Sequence, residues 1–168
     1  MTVSIACFTA AGEAISRRLA QGLAAQGIPV RRRDRLGGGA GPTLGEWTAQ
    51  GFSADGALVF IGASGIAVRA IAPLVRDKRT DPAVVSVDEQ GRFVVPLLSG
   101  HLGGANDLAC RLAAACGAVP VITTATDANG LFAVDEWAKK QNCAVWETPR
   151  IKLVSGALLA GKTVLVIA

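Results

Sequence analysis

Tyrosine is absent from the 168 residues, and histidine and methionine occur once each. Aromatic residues make up 5% of the chain, and none interleave with its arginines to stack bases, so no nucleic-acid partner is expected. Of the four cysteines, Cys7, Cys110, Cys116 and Cys143, no two form a CxxC pair. With a single histidine beside them, a zinc site is not expected. Cys110 and Cys116 share one expected helix but face different ways, too far apart for a bridge, and read as small buried residues. No apolar run reaches membrane-spanning length, and no basic n-region opens the chain. It therefore reads as cytoplasmic, with no membrane partner.

Half of the residues are hydrophobic (51%) and 18% are charged, the balance of a globular chain and not of a disordered one. The length suits one compact α/β domain with a short extra piece. The net charge of +4 is concentrated in Arg31-Arg32-Arg33-Asp34-Arg35. This run reads either as a solvated strand end or as a basic rim that attracts a polyanionic ligand.

Short apolar runs alternate with helical stripes. Val3–Cys7 is a strand, and Ile15, Leu19 and Leu23 then recur at helical spacing up to Gly27. Ile28–Arg31 resumes as a strand, completing a βαβ unit that calls for a parallel sheet. Leu36–Pro42 lacks the GxGxxG spacing and reads as a loop. Thr43 caps a short helix through Trp47 to Gln50. Ala57–Ile61 is apolar throughout, as a central strand must be. The helix after Gly62-Ala63-Ser64-Gly65 ends or kinks at Pro73, and Lys78–Pro82 reads as an exposed loop. Ala83–Val87 and Arg92–Pro96, joined by Asp88-Glu89-Gln90-Gly91, form an antiparallel hairpin. A helix from Ala105 stops at the C′ glycine Gly117. Val119–Ile122 is a further strand, Phe132 to Gln141 and Lys152 to Leu159 are helices, and Lys162–Ile167 is a strand. The expected fold is an open, mostly parallel α/β sheet with helices on both faces and one antiparallel hairpin. Residues 1–145 form the domain, and 146–168 are a linker and the start of a second one.

The chemistry centres on Pro96-Leu97-Leu98-Ser99-Gly100-His101-Leu102-Gly103-Gly104-Ala105-Asn106-Asp107, a strand running through a glycine-rich turn into a helix. Backbone N–H groups and the positive end of the helix dipole stand there beside side chains able to move protons. His101 reads as a general acid or base, or as a capping residue. Ser99 reads as a nucleophile or a turn former. Asn106 is a polar neighbour, and Asp107 is favoured by the dipole in any case. Ser64 invites comparison with the GxSxG elbow, but Ile66 stands where the second glycine belongs, which argues against covalent serine catalysis. Gly62–Gly65, Ser99–Asp107 and Thr123–Asp127 are expected to converge beyond the strand ends around an anionic ligand. The residues alone also admit a phosphate- or nucleotide-binding domain.

The stretch from Gly56 to Asp127 resembles the CbiG family of cobalamin biosynthesis. The resemblance rests on Gly62-Ala63-Ser64-Gly65-Ile66-Ala67-Val68-Arg69, Asp81-Pro82-Ala83-Val84-Val85, Leu97 to Asn106, and Val121 to Asp127. It implies a hydrolase that opens the δ-lactone of cobalt-precorrin-5A with release of acetaldehyde, and a corrinoid substrate that brings its own cobalt, so no cofactor is expected. On this reading His101, Ser99, Asn106 and Asp107 are catalytic. Gly62, Ser64, Gly65, Arg69, Gly100, Gly103, Gly104, Thr123, Thr124 and Asp127 are substrate-binding. The family usually continues through a central and a C-terminal domain. The chain is thus expected to contact such a domain or to form a homodimer, and the alternative is a corrinoid-binding module inactive without them.

Overall fold

The computed structural model describes residues 1–34 and 41–165. Its contacts divide the chain into two compact units, Met1–Val121 and Ile122–Ala168. The division falls where the last sheet bond is made, from the Val121 N–H to the Val94 carbonyl. The expected boundary after residue 145 lies inside the second unit.

The first unit is a six-stranded sheet of order β2-β1-β3-β4-β5-β6. The strands are β1 (Val3–Cys7), β2 (Val30–Arg33), β3 (Ala57–Ile61), β4 (Ala83–Val87), β5 (Phe93–Leu98) and β6 (Val119–Pro120). β1 pairs in parallel with β2 and β3, and β3 with β4. β5 runs antiparallel to β4, and β6 follows β5 in parallel. β1, β3 and β4 are buried along their whole length, which is why they read as apolar runs broken only by Ser4 and Ser86.

The helices are α1 (Ala10–Ala24), α2 (Leu44–Ala54), α3 (Ser64–Ile71) and α4 (Ala105–Cys116). Leu58, Phe60 and Val84 meet Ala67 and Ile71 of α3 and Trp47 of α2 on one face of the sheet. Trp47 stands edge-on to Phe60 at 5.6 Å between ring centres. α1 and α4 cover the other face and pack closely. A Cβ on Gly22 would lie 2.5 Å from that of Ala115, so only glycine lets the two helices approach this far. Thr43 and Glu46 form a reciprocal capping box at the start of α2.

The β4–β5 hairpin turns on Asp88. Its carboxylate accepts N–H bonds from Arg92 (2.7 Å), Phe93 (2.7 Å) and Gln90 (3.3 Å). Burial raises its pKa, but these bonds outweigh burial and hold the group below the ordinary carboxylate range. A carboxyl depressed on folding stabilises above its unfolded pKa, and that contribution is lost as the pH falls through the folded value. Asp88→Asn is therefore expected to lose about 1 kcal/mol at pH 7. Urea unfolding at successively lower pH should show the gap closing in acid.

Several elements differ from expectation. β2 starts at Val30, two residues late, because Pro29 has no N–H to give to a ladder. β6 is two residues long instead of four. Most of the expected Leu36–Pro42 loop lies outside the described residues. Lys162–Leu165 form no strand, since no described strand runs alongside to pair with them; the rest of that expected strand lies outside the described residues. Cys110 is exposed, while Cys116 is buried and its thiol is pushed up by that burial. None of the four cysteines is joined in a disulfide.

The second unit holds α5 (Ala125–Ala128), α6 (Val134–Lys140), a 3₁₀ turn (Thr148–Arg150) and α7 (Ile151–Leu159). Among the described residues no helix is long and apolar enough to cross a membrane.

Candidate active site

Strand direction decides what can meet. Leu98, the last residue of β5, pairs with Val84 near the start of β4. The turn after β5 therefore lies at the amino end of the parallel strands. Gly62–Gly65 follow the end of β3, at the carboxyl end. The five residues of β4 separate the two, about 16 Å at 3.3 Å per residue. Gly62–Gly65 and the His101 turn therefore do not converge as expected, because the hairpin reverses β5.

At the amino end the turn closes on itself. The N–H groups of Ala105 and Asn106, the first two residues of α4, donate to the carbonyls of Ser99 (3.1 Å) and Gly100 (3.0 Å). The Gly104 N–H donates to the His101 carbonyl at 3.0 Å. Sequence reading expects these donors to be open to a ligand; they are consumed in fixing the loop instead. Gly104 has φ +83°, a left-handed conformation that glycine adopts without strain. A Cβ on Gly103 would stand 2.3 Å from the Ser99 Cβ and 2.8 Å from the Ser99 carbonyl oxygen. Both glycines therefore shape the turn that carries His101, which is partly exposed.

Ser99 itself has φ +57°. Its hydroxyl donates to the carbonyl of Asp81 at 2.8 Å. That bond makes it a tether, the turn-forming reading, rather than a poised nucleophile. Asn106 is buried directly beneath the turn: a Cβ on Gly100 would meet its Oδ1 at 2.9 Å. Asp107 points away. It is exposed and pairs with Arg111 one helical turn on (2.8 Å). The helix dipole is reason enough for an acid there.

Asp81 is the residue that sequence reading missed. It was expected in an exposed loop but is buried. Its carboxylate accepts the Arg76 N–H at 2.9 Å while its carbonyl holds Ser99. It thus ties the Arg76–Thr80 loop to the His101 turn. The available signal was its place in Asp81-Pro82, immediately before a buried strand.

At the carboxyl end, the strand order reverses direction between β1 and β3, the usual position of a ligand crevice in open α/β sheets. Thr9 caps α1 through the Gly12 N–H at 3.0 Å. α3 has no side-chain cap, and the Ser64 hydroxyl has no partner among the described residues. Gly62, with φ +150°, lies against Phe8. Arg69 folds back onto the Gly65 carbonyl at 3.2 Å. Gly62, Ser64, Gly65 and Arg69 thus share a surface remote from His101.

Among the described residues the arginine run has partners; Arg35 lies outside them. Arg31 pairs with Asp55, Arg32 with Asp34, and Arg33 donates to the Pro42 carbonyl. Burial raises the Asp34 carboxyl, but Arg32, Ser16 and Cys7 together hold it below its ordinary value. This is a strand end with partners, not an open basic rim. In the second unit, Thr124 donates to the Asp127 carboxylate, and Thr123 and Asp127 are exposed.

Comparison with known proteins adds the chemistry that geometry leaves open. The profile of a family described as Cobalamin synthesis G N-terminal matches residues 46–127. A cobalt-precorrin-5A hydrolase of Salmonella typhimurium is 46% identical over 146 residues, 84% of this chain and 40% of that protein. One from Priestia megaterium is 50% identical over 91 residues, 54% of this chain and 24% of that protein. The chain thus spans less than half the length of these relatives. The crystal structure of a cobalamin biosynthesis protein G homolog from Sulfolobus solfataricus superposes with TM-score 0.61 at 23% identity. It covers 99% of this chain and 50% of that one, and so shares the fold.

Proposed function

We propose that this chain, which matches the cobalamin synthesis G N-terminal family over residues 46–127, hydrolyses the δ-lactone of cobalt-precorrin-5A. Water adds to the lactone carbonyl and the C–O bond breaks, leaving a carboxylate. The alkoxide so released collapses to the aldehyde carbonyl as the C–C bond to the macrocycle breaks; the two-carbon unit leaves as acetaldehyde, and the bonding pair passes to the conjugated macrocycle, which takes up a proton. His101 takes the proton from the attacking water as general base. Asn106, buried beneath the turn, orients the histidine or the substrate. Ser99, Gly100, Gly103 and Gly104 set the shape of the turn. Cobalt belongs to the substrate, and no metal of the chain's own is proposed.

The observation that carries this reading is the placing of the single histidine. It stands on a turn fixed at both ends by its own backbone bonds, inside the stretch that matches the family. The test is incubation with cobalt-precorrin-5A, with acetaldehyde measured as product. Acetaldehyde in step with lactone opening is the expected result. A corrinoid that stays with the protein through gel filtration without releasing acetaldehyde would make the chain a binding module whose chemistry needs more of the relatives' length.

A further inference from the structure

The substrate proposed above carries many carboxylates, and the amino end of the sheet holds cations that form no ion pair among the described residues. The loop after α3 contains Arg76, Asp77, Lys78 and Arg79. Arg79 is committed: its Nε lies 3.1 and 3.0 Å from the two Asp77 carboxylate oxygens. That pairing pulls the Asp77 carboxyl down to about 2, so the pair stays ionised at any working pH. Arg76 and Lys78 are different. Both are exposed, and neither has a carboxylate at ion-pair distance among the described residues.

These two charges are not on a random stretch of surface. The Arg76 N–H is bound by the Asp81 carboxylate, and the Asp81 carbonyl is bound by the Ser99 hydroxyl, two residues before His101. The Asp81 N–H also returns to the Asp77 carbonyl at 2.8 Å, closing the loop. One buried residue thus fixes the position of both the cationic loop and the histidine turn. By contrast, Arg17, Arg31, Arg32, Arg92, Arg111 and Arg150 are each spent on a nearby carboxylate.

We propose that Arg76 and Lys78 form a carboxylate-binding rim that seats the corrinoid periphery beside the His101 turn, with Asp81 as the positioning residue between them. This rests on the corrinoid reading above. Two exposed charges of this kind should together account for roughly tenfold in affinity, and the effect should fade with salt.

Equilibrium dialysis against cobyrinic acid, whose periphery carries free carboxylates, and against its methyl ester provides the test. At low ionic strength the parent should bind the acid about tenfold more tightly than the double variant Arg76→Gln/Lys78→Gln. The ester should bind both alike, and Arg76→Lys/Lys78→Arg should restore the parent's affinity for the acid. Equal affinity of parent and Gln variant for the acid overturns the rim while leaving the corrinoid reading intact. A parent that binds neither acid nor ester overturns both.

Discussion

Gly103→Ala is expected to cost about 2 kcal/mol of stability, the usual range for overpacking a closed site, and to abolish most of the turnover. The added methyl would have to occupy space held by the Ser99 Cβ at 2.3 Å and the Ser99 carbonyl at 2.8 Å. Neither can yield alone. Ser99 already holds a left-handed φ of +57°, its hydroxyl is bound to Asp81, and its carbonyl receives the Ala105 N–H. Relief requires moving the segment between Ser99 and Ala105, which includes His101. Thermal unfolding and the rate of acetaldehyde release should fall together. A Gly103→Ala protein with parental stability and rate would show that the turn is not constrained as described.

His101→Ala should separate the two effects. The side chain is partly exposed, so stability should stay within about 1 kcal/mol of the parent. The rate should fall by a factor of about 10² to 10⁴, the range associated with removing a positioned general base. The loss should appear in kcat with KM little changed, because the rim cations and the buried Asn106 remain. A loss confined to KM would make His101 a binding contact and leave the base to be found elsewhere.

Most of the fold is legible in residue pattern. The continuous apolar run at Ala57–Ile61 marks a strand buried on both faces, and it is. Gly117 ends α4 with φ +69°. Asp88-Glu89-Gln90-Gly91 announces the hairpin, with Gly91 at φ +67°. The site is less legible, because its geometry depends on strand direction across the whole sheet while periodicity is a local property. The same hairpin that is readable from four residues sends the His101 turn to the opposite end of the sheet from Gly62–Gly65. Asp107 shows a second limit: a carboxylate in a first helical turn is stabilised by the dipole with or without a catalytic role. Asp81 shows a third. Its two bonds reach Arg76 nearby in the chain and Ser99 eighteen residues away, and nothing in the local sequence distinguishes that second partner.

The central claim is that the corrinoid is handled at the amino end of the sheet, around His101, and not in the crevice between β1 and β3. Amide shifts of the ¹⁵N-labelled chain titrated with a diamagnetic cobalt(III) corrinoid acid test it most directly. The account predicts that the changes cluster at Arg76–Asp81 and Gly100–Asn106. Changes confined to Thr9–Gly12 and Gly62–Gly65 would contradict it and move the site to the other end of the sheet.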